Sequence, residues 1–270
     1  MKIAFIGGGN MASALIGGLM AKGARASAFC VVEPLPAARR RLAVKFKVRA
    51  SAAPDARTLA ADTLVLAVKP QDMRAAVAPL VGRLSGKLVI SIAAGIRLHD
   101  LARWLGGHAK LIRCMPNTPA LIGAGVTGLY APPRVSAAEK RRAERILGAV
   151  GATVWVKDEA LLDAVTAVSA SGPAYVFWFI EQLAASAESL GLAPEVSRRL
   201  VLQTVLGSAQ LAARSKEPPA LLRERVTSKG GTTAAALAVF EEARLAEHFR
   251  RAVEAASRRG AELGELLGRD

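Results

Sequence analysis

Short apolar segments alternate with longer amphipathic segments over the first 156 residues of this 270-residue chain. The apolar segments favour strands and the amphipathic segments favour helices. The predicted strands cover residues 2–6, 28–33, 47–49, 63–68, 88–92, 111–114 and 153–156. This alternation predicts an α/β domain at residues 1–156, built on a Rossmann-type, doubly wound and mostly parallel sheet.

The pattern changes after residue 156 to long helical periods, with prolines that mark helix starts at Pro173, Pro194 and Pro218. We therefore predict a second, all-α domain at residues 157–270. Its first predicted helix, 173–190, is apolar nearly all round from Tyr175 to Ile180. Such a helix has to be buried, and a domain of this size has a limited interior. We therefore expect a homodimer or a larger homo-oligomer built on the C-terminal helices.

The first predicted strand runs into a glycine-rich turn and then a helix at residues 11–22. Gly7 permits a tight bend, Gly9 lets the backbone approach a pyrophosphate, and the small Ala12 lets the helix pack closely on the strand. The free amides at the helix start attract anionic phosphates. We predict a dinucleotide site in which Gly7, Gly9, Asn10 and Met11 contact the cofactor.

The second predicted strand ends in Glu33, at the point where the ribose of an adenosine would lie. A carboxylate there would accept a hydrogen bond from a free 2′-hydroxyl and repel a 2′-phosphate, which favours NADH. Arg39 and Arg40 begin the next helix and can compensate for a phosphate. The residues therefore leave NADH and NADPH both open.

Three further loops follow predicted strands and are expected to face the cofactor, because ligands bind at the carboxyl edge of such a sheet. Small residues at Ala93, Ala94 and Gly95 would let a nicotinamide ring approach, and Asn117 could bond to its amide or ribose. Proline, glycine and asparagine are also ordinary turn residues, so turn formation alone is the alternative. The candidate contacts in the other loop are Ala67, Val68, Lys69 and Pro70.

Composition narrows the remaining classes of protein. With 52% hydrophobic residues the chain can fill the cores of a globular protein, and its two cysteines, Cys30 and Cys114, lie in apolar segments that favour buried thiols over a disulfide or metal site. We therefore expect a cytoplasmic protein. The three histidines have no metal-ligand spacing, and no metal site is predicted.

Two apolar stretches resemble segments that cross or enter a membrane: one a secretory signal, the other a transmembrane helix. Residues 3–21 are uncharged after Lys2, as in a secretory signal, but residues 7–10 interrupt the apolar helix that a signal needs. Residues 164–180 are uncharged as well, but Pro173 breaks them and Asp163 and Glu181 bound them. Neither stretch is predicted to interact with a membrane.

A net charge of +15 is typical of proteins that bind nucleic acid, so nucleic acid is a candidate partner. The arginines are scattered over several amphipathic helices, and aromatic residues, at 4%, are too few to stack with bases. A basic surface around an anionic cofactor is the preferred interpretation. A nucleotide-sensing or nucleic-acid-binding protein stays an alternative that salt-dependent DNA binding would favour.

A second glycine-containing loop lies in the predicted helical domain at residues 226–233, just before a predicted helix at 234–242. It places hydroxyls and free backbone amides at a helix N-terminus, where they can bind an anion of carboxylate size. Simple capping is the alternative, but one hydroxyl suffices for a cap and Gly230 and Gly231 would not be needed.

Six segments of the chain resemble the motifs of the pyrroline-5-carboxylate reductase family, in the family's order and over nearly the whole length. They are residues 5–12, 67–70, 91–95, 113–119, 171–175 and 227–233. The resemblance implies an N-terminal Rossmann domain, a helical dimerisation domain, and reduction of 1-pyrroline-5-carboxylate to L-proline by NADPH or NADH, the final step of proline biosynthesis.

The resemblance also implies roles for the second loop. Ser228 and the amides of Gly231 and Thr232, with Gly230 in the same turn, would hold the substrate carboxylate. Thr233 would contact the ring nitrogen and is the implied catalytic residue. Hydride addition to a protonated C=N bond needs no further proton in that step, which agrees with the lack of His, Cys or carboxylate side chains in the candidate substrate loop.

The chain departs from the family pattern at three places. Lys229 stands where proline is common, Ala170 lies in a segment where the family commonly has Ser-Gly-Ser-Gly-Pro, and Glu33-Pro34 ends the second strand in place of a serine or asparagine near an arginine. The last departure leaves the choice of cofactor open. The rival classes are other imine reductases and a 3-hydroxyacid dehydrogenase, which would need a lysine where this chain has Tyr175 to Phe177.

Overall fold

The computed structural model describes residues 1–269, and its first 155 residues carry one sheet of eight strands. The strand order is β3-β2-β1-β4-β5-β6-β7-β8, and every neighbouring pair is parallel except β6 and β7. The strands are β1 Ile3–Ile6, β2 Phe29–Val32, β3 Arg49–Ser51, β4 Thr63–Leu66, β5 Leu88–Ser91, β6 Leu111–Met115, β7 Gly125–Tyr130 and β8 Gly151–Trp155. The predicted doubly wound, mostly parallel sheet is confirmed.

The structure differs from the predicted strands at two places. Residues 47–49 were expected to be extended, but Lys47 adopts a left-handed conformation (φ 56°) that ends the preceding helix, so β3 starts at Arg49. Residues 125–130 were not predicted as a strand. They form β7, which pairs antiparallel with β6.

Twelve α-helices complete the part of the chain that the structure describes, joined by short 3₁₀ turns and one π-helical segment at Thr166–Ala170. Seven lie before residue 171: α1 Asn10–Ala21, α2 Pro36–Phe46, α3 Ala56–Leu59, α4 Met73–Val77, α5 Leu98–Trp104, α6 Ala137–Leu147 and α7 Leu161–Val165. Five follow: α8 Gly172–Ser189, α9 Pro194–Arg214, α10 Pro219–Arg225, α11 Thr232–Glu242 and α12 Leu245–Gly268. The helical second half of the chain matches its sequence pattern.

The chain forms two compact units. The first contains residues 1–171 together with 256–269, and the second contains residues 172–255. This division differs from the predicted boundary after residue 156, because α7 packs on the sheet and the last turns of α12 pack against α5 and the loop before it. The assignment of cofactor binding to residues 1–156 and substrate binding to residues 157–270 stays a prediction.

The first unit holds two apolar cores, one on each face of the sheet. One is centred on Phe5, Leu15 and Ile90, and the other on Leu64, Leu66 and Met73. Central strands read as continuous apolar runs because helices cover both faces of a parallel sheet. Burial of these side chains is the main source of the unit's stability.

The second unit leaves most of its large apolar side chains exposed. Phe177 is 63% exposed and Trp178 is 58% exposed, whereas Val201 is the one buried apolar residue in the described range 172–255. Among residues 1–269, no helix combines the length and hydrophobicity needed to cross a membrane.

Candidate functional site

The glycine-rich turn joins β1 to α1 in a conformation that only glycine adopts readily. Gly7 has φ +98°, and a Cβ atom there would lie 2.6 Å from the carbonyl oxygen of Ala67 at the end of β4. Gly9 is the N-cap of α1, makes no side-chain cap, and has no atom within 4 Å of where its Cβ would be. The turn is therefore closely packed at Gly7 and open at Gly9, where the amides of α1 begin.

Glu33 lies directly after β2, and its carboxylate binds the backbone of two loops. The N–H of Gly8 donates to Oε2 (2.9 Å) and the N–H of Leu35 donates to Oε1 (2.9 Å). The residue is 8% exposed. The predicted ribose contact stays a prediction, and the structure shows that both carboxylate oxygens already accept hydrogen bonds.

The loop after β4 begins beside the glycine turn. Ala67 donates its N–H to the carbonyl of Ile6 (2.7 Å), which places Ala67 against Gly7. Lys69 is exposed and Pro70 begins a short 3₁₀ turn, Pro70–Asp72. Of the predicted cofactor residues, those of the β1 and β4 loops are thus brought into direct contact.

The loop after β5 uses its small residues for packing. Ala93 is buried in the sheet core, and Gly95 has φ +79° and lies under α12, where an added Cβ would be 3.2 Å from Leu267. Ala94 is half-buried. The Gly95 side of this loop is therefore covered by α12, and the contact of the loop with a nicotinamide ring stays a prediction.

Asn117 is 9% exposed, and its amide joins two segments of the chain. The side-chain Nδ2 donates to the carbonyl of Ser169 (3.1 Å), and Oδ1 accepts from the N–H of Val126 (2.9 Å). Asn117 thus holds the β6–β7 loop against β7 and the π-helical segment. A direct contact to the cofactor stays a prediction.

A buried cluster of charges near this edge of the sheet was missed in the sequence. Arg113 of β6, 3% exposed, lies 3.2 Å from Glu159 Oε1 and 3.5 Å from Asp163 Oδ1, and Arg97 Nη2 lies 2.9 Å from Asp163 Oδ2. Glu159 also accepts the N–H of Leu98 (2.8 Å), the first residue of α5. An arginine inside an apolar strand was the available signal, because a buried charge requires partners.

The second predicted site lies in the helical unit, at the N-terminus of α11. Gly230 has φ +70°, and the N–H of Gly231 donates to the carbonyl of Ser228 (3.0 Å), which closes a tight turn. Gly231 is the N-cap of α11 and no side chain caps it. Within residues 1–269 the hydroxyls of Ser228, Thr232 and Thr233 have no hydrogen-bond partner, so simple capping does not account for them.

Lys229 is exposed at the second position of this turn, where the family pattern often has proline. The turn forms with lysine because Gly230 supplies the positive φ that its third position requires. The arrangement as a whole offers free backbone amides and two threonine hydroxyls to an anion at a helix N-terminus.

Fold and turn together define the class of this protein: an oxidoreductase that binds a dinucleotide on an N-terminal Rossmann-type sheet and carries a separate helical unit. A family model described as NADP oxidoreductase, coenzyme F420-dependent, matches residues 2–95. A second model, pyrroline-5-carboxylate reductase dimerisation, matches residues 159–263 and assigns the helical region to homo-oligomerisation.

Comparison with known proteins then identifies the family. The chain is 47% identical to a pyrroline-5-carboxylate reductase of Pseudomonas aeruginosa, over 99% of this chain and 98% of that protein. The structure of a pyrroline-5-carboxylate reductase from Coxiella burnetii has a TM-score of 0.92 at 40% identity, covering 97% of this chain and 98% of that chain. The chain belongs to the pyrroline-5-carboxylate reductase family.

A further solved structure bears on the cofactor. The pyrroline carboxylate reductase of Plasmodium falciparum, with NADP bound, has a TM-score of 0.87 at 30% identity and covers 98% of each chain. That structure contains the phosphorylated dinucleotide.

Proposed function

We propose that the protein reduces 1-pyrroline-5-carboxylate to L-proline with NADPH or NADH, the final step of proline biosynthesis. The observation that carries the proposal is the uncapped N-terminus of α11, where free amides and unpartnered hydroxyls surround a tight turn. A capping function would have used one of these hydroxyls. Family membership supplies the substrate and the reaction class.

The residues of the first unit fit a dinucleotide. Gly7 has no room for a side chain, Gly9 leaves open space before α1, and no side chain occupies the amides at its N-terminus. When bound, the nicotinamide supplies a hydride to the C=N carbon. We propose that the cofactor contacts are made by Gly7, Gly9, Asn10, Met11, Ala67, Val68, Lys69, Pro70, Ala93, Ala94, Gly95 and Asn117.

In the helical unit, Ser228 and the amide of Thr232 are proposed to bind the substrate carboxylate. Gly230 and Gly231 form the turn beside it, because the N–H of Gly231 already donates to the carbonyl of Ser228. Charge-assisted bonds to backbone N–H groups at a helix N-terminus are strong and directional. Thr233, on the first turn of α11 and half-buried, is proposed to bond to the ring nitrogen.

No general acid is required by this arrangement. A protonated imine carries its proton on nitrogen already, so hydride addition to carbon moves the C=N π-electron pair onto nitrogen and yields the amine directly. The substrate loop contains no His, Cys or carboxylate side chain. The chain therefore contributes binding and orientation, together with the hydrogen bond of Thr233.

The unpaired apolar faces of the helical unit are proposed to form the contact between subunits, in a homodimer or larger homo-oligomer. One of these faces lines a cavity of about 860 Å³ with Tyr175, Trp178, Phe179, Phe240 and Phe249. Aromatic side chains of this kind are enriched at subunit interfaces.

A cytoplasmic location is proposed from the cysteines. Cys30 and Cys114 are both free, and burial raises the pKa of the Cys114 thiol well above its ordinary value. Such a thiol stays protonated and unreactive, as expected of a protein in a reducing compartment.

The test is the loss of nicotinamide absorbance when the purified protein is mixed with 1-pyrroline-5-carboxylate and either NADPH or NADH. We expect oxidation that depends on the imine, with proline as product. Nucleotide binding without oxidation of either cofactor would reject this substrate and leave another imine or a hydroxyacid as the candidate.

A further inference from the structure

We propose that Glu33 positions the glycine-rich turn for NADH and NADPH alike, and that Arg39 at the same end of β2 discriminates between the two nucleotides. The inference rests on the proposed binding of a nicotinamide dinucleotide. It assigns to Glu33 a role different from the ribose contact that its place in the sheet suggests.

The carboxylate of Glu33 is held on both sides. Oε2 accepts from Gly8 within the phosphate-binding turn, and Oε1 accepts from Leu35 at the start of the next helix, each at 2.9 Å. Bonds between an ionised carboxylate and backbone N–H groups are stronger than neutral ones. The β1–α1 turn and the β2–α2 turn are therefore joined through one side chain.

Burial limits what else Glu33 can bind. The residue is 8% exposed, and a Cβ atom added at Gly8 would lie 3.3 Å from the Cβ and Cγ atoms of Glu33. The carboxylate thus lies beneath the glycine turn, with its charge compensated by the amides. Releasing it to bind a ribose would leave the N–H of Gly8 buried and unsatisfied, which is costly.

Arg39 lies on the first turns of α2 and is half-buried. Its Nη1 atom donates to the carbonyls of Glu33 (2.8 Å) and Pro34 (2.7 Å), which anchors the guanidinium at the end of β2. Within residues 1–269, Nη2 and Nε have no partner. An anchored guanidinium with two free donor nitrogens is suited to bidentate contact with a phosphate.

Arg40 provides the matched comparison. It is the next residue on α2, is exposed, and has no partner within residues 1–269. Loss of Arg40 removes the same charge from nearly the same place but leaves the anchored guanidinium intact. Comparison of variants at Arg39 and Arg40 therefore distinguishes a specific contact with the phosphate from the general attraction of a positively charged helix.

The experiment measures the dissociation constants of NADH and NADPH by fluorescence titration without substrate, for wild type, E33Q, R39Q and R40Q. We expect E33Q to raise both constants by the same factor, about tenfold. R39Q should raise the constant for NADPH at least about tenfold and that for NADH less than about twofold. R40Q should change either constant less than about twofold.

Opposite results overturn the inference. A ribose-binding Glu33 would show in E33Q as weaker NADH binding with unchanged or tighter NADPH binding. Equal shifts of both nucleotides in R39Q, or a NADPH-selective loss in R40Q as large as that in R39Q, would reject Arg39 as the discriminating residue. Because no substrate is present, a protein that binds both nucleotides but turns over no imine would refute the proposed reaction and leave this test intact.

A second variant covers the case in which E33Q does not fold, which thermal unfolding of the nucleotide-free protein would reveal. Leu35→Pro deletes the N–H that Oε1 accepts and keeps the carboxylate, and Leu35 is 64% exposed with a φ of −81° that proline tolerates. A positioning role predicts weaker binding of both nucleotides. A ribose role predicts tighter NADH binding, because Oε1 is released.

Discussion

The two compact units differ in where they keep their apolar side chains. The sheet unit buries them in two cores, whereas residues 172–255 bury Ser197 and Val201 and leave Phe177, Trp178 and many others exposed. Each large apolar side chain that leaves water contributes about 1.5–3 kcal/mol. The sheet unit is therefore stabilised within its own chain, whereas the exposed apolar side chains of the helical unit are available for the proposed contact between subunits.

The proposed chemistry is divided in the same way. The phosphate-binding turn is fixed by contacts within the sheet unit, through Gly7, Glu33 and Ala67. The proposed substrate loop lies at the start of α11, in the unit whose helices lack burial of their own. Cofactor binding should therefore tolerate loss of the subunit contact better than turnover does.

The largest effect is expected from a cavity in the sheet core. Ile90 of β5 is fully buried, so Ile90→Ala should lower the free energy of unfolding by about 2–5 kcal/mol. Urea titration followed by circular dichroism measures this change. Val81 is 46% exposed, and Val81→Ala serves as the control with an expected loss below about 0.5 kcal/mol. Equal losses in the two variants would contradict the description of this core.

A charge on the exposed apolar face should break the assembly. Trp178→Asp places a carboxylate in the proposed subunit contact and should raise the dissociation constant of the oligomer at least about 100-fold. Sedimentation velocity measures the shift to monomer. Val44 of α2, 72% exposed in the sheet unit, is the control, because Val44→Asp should leave the assembly unchanged. An intact Trp178→Asp oligomer would mean that another face joins the subunits.

Substitution of the proposed catalytic threonine should separate the two units functionally. Thr233→Ala should lower kcat by about 10- to 100-fold through loss of one hydrogen bond to a charged group. The dissociation constants of the nucleotides should not change. Thr232→Val keeps the backbone amide that we propose as the contact, and should change KM less than about twofold. Full turnover in Thr233→Ala would remove this residue from the reaction.

The smallest effect concerns the pH dependence of the sheet unit. Burial lowers the pKa of His108, whose Nε2 lies 3.0 Å from the carbonyl oxygen of Lys87, below its ordinary value of 6.5. As the pH falls, His108 therefore binds a proton at a higher pH in the unfolded chain than in the folded chain. The contribution of His108 to the free energy of unfolding should be fully present above pH 6.5 and should decrease slightly as the pH falls below 6.5. Unfolding midpoints at several pH values should show this decrease in wild type and not in His108→Gln.

The sequence pattern predicted most of the sheet, because central parallel strands are apolar on both faces and stand out from their helices. It missed β7, whose run contains Gly125 and Gly128 and lacks a clear alternation. The space of Gly128 is filled by Val165 of α7, so this strand depends on a partner far along the chain. Pairing with β6 then supplies the hydrogen bonds that local propensity does not specify.

The candidate site likewise contains features that the sequence predicts and features that only the folded structure shows. The glycine turn and the loop before α11 were recognisable because backbone conformation and free amides depend on local residue types. The charged cluster of Arg113, Glu159 and Asp163 was not recognisable, since its members lie on separate elements and meet only in the folded unit. The same holds for the bonds of Asn117 to Ser169 and Val126.

By itself the sequence determined most of the strand–helix order, the glycine-rich turn after β1, the tight turn before α11 and the family, because each depends on short segments of consecutive residues. Only the tertiary structure decided that the carboxylate of Glu33 binds Gly8 and Leu35, that α12 covers Gly95, and that the helical unit leaves its aromatic side chains unburied. These features depend on which distant groups become neighbours. The partner of a hydrogen bond or an apolar contact can lie far away in the sequence, and only folding brings the two groups together.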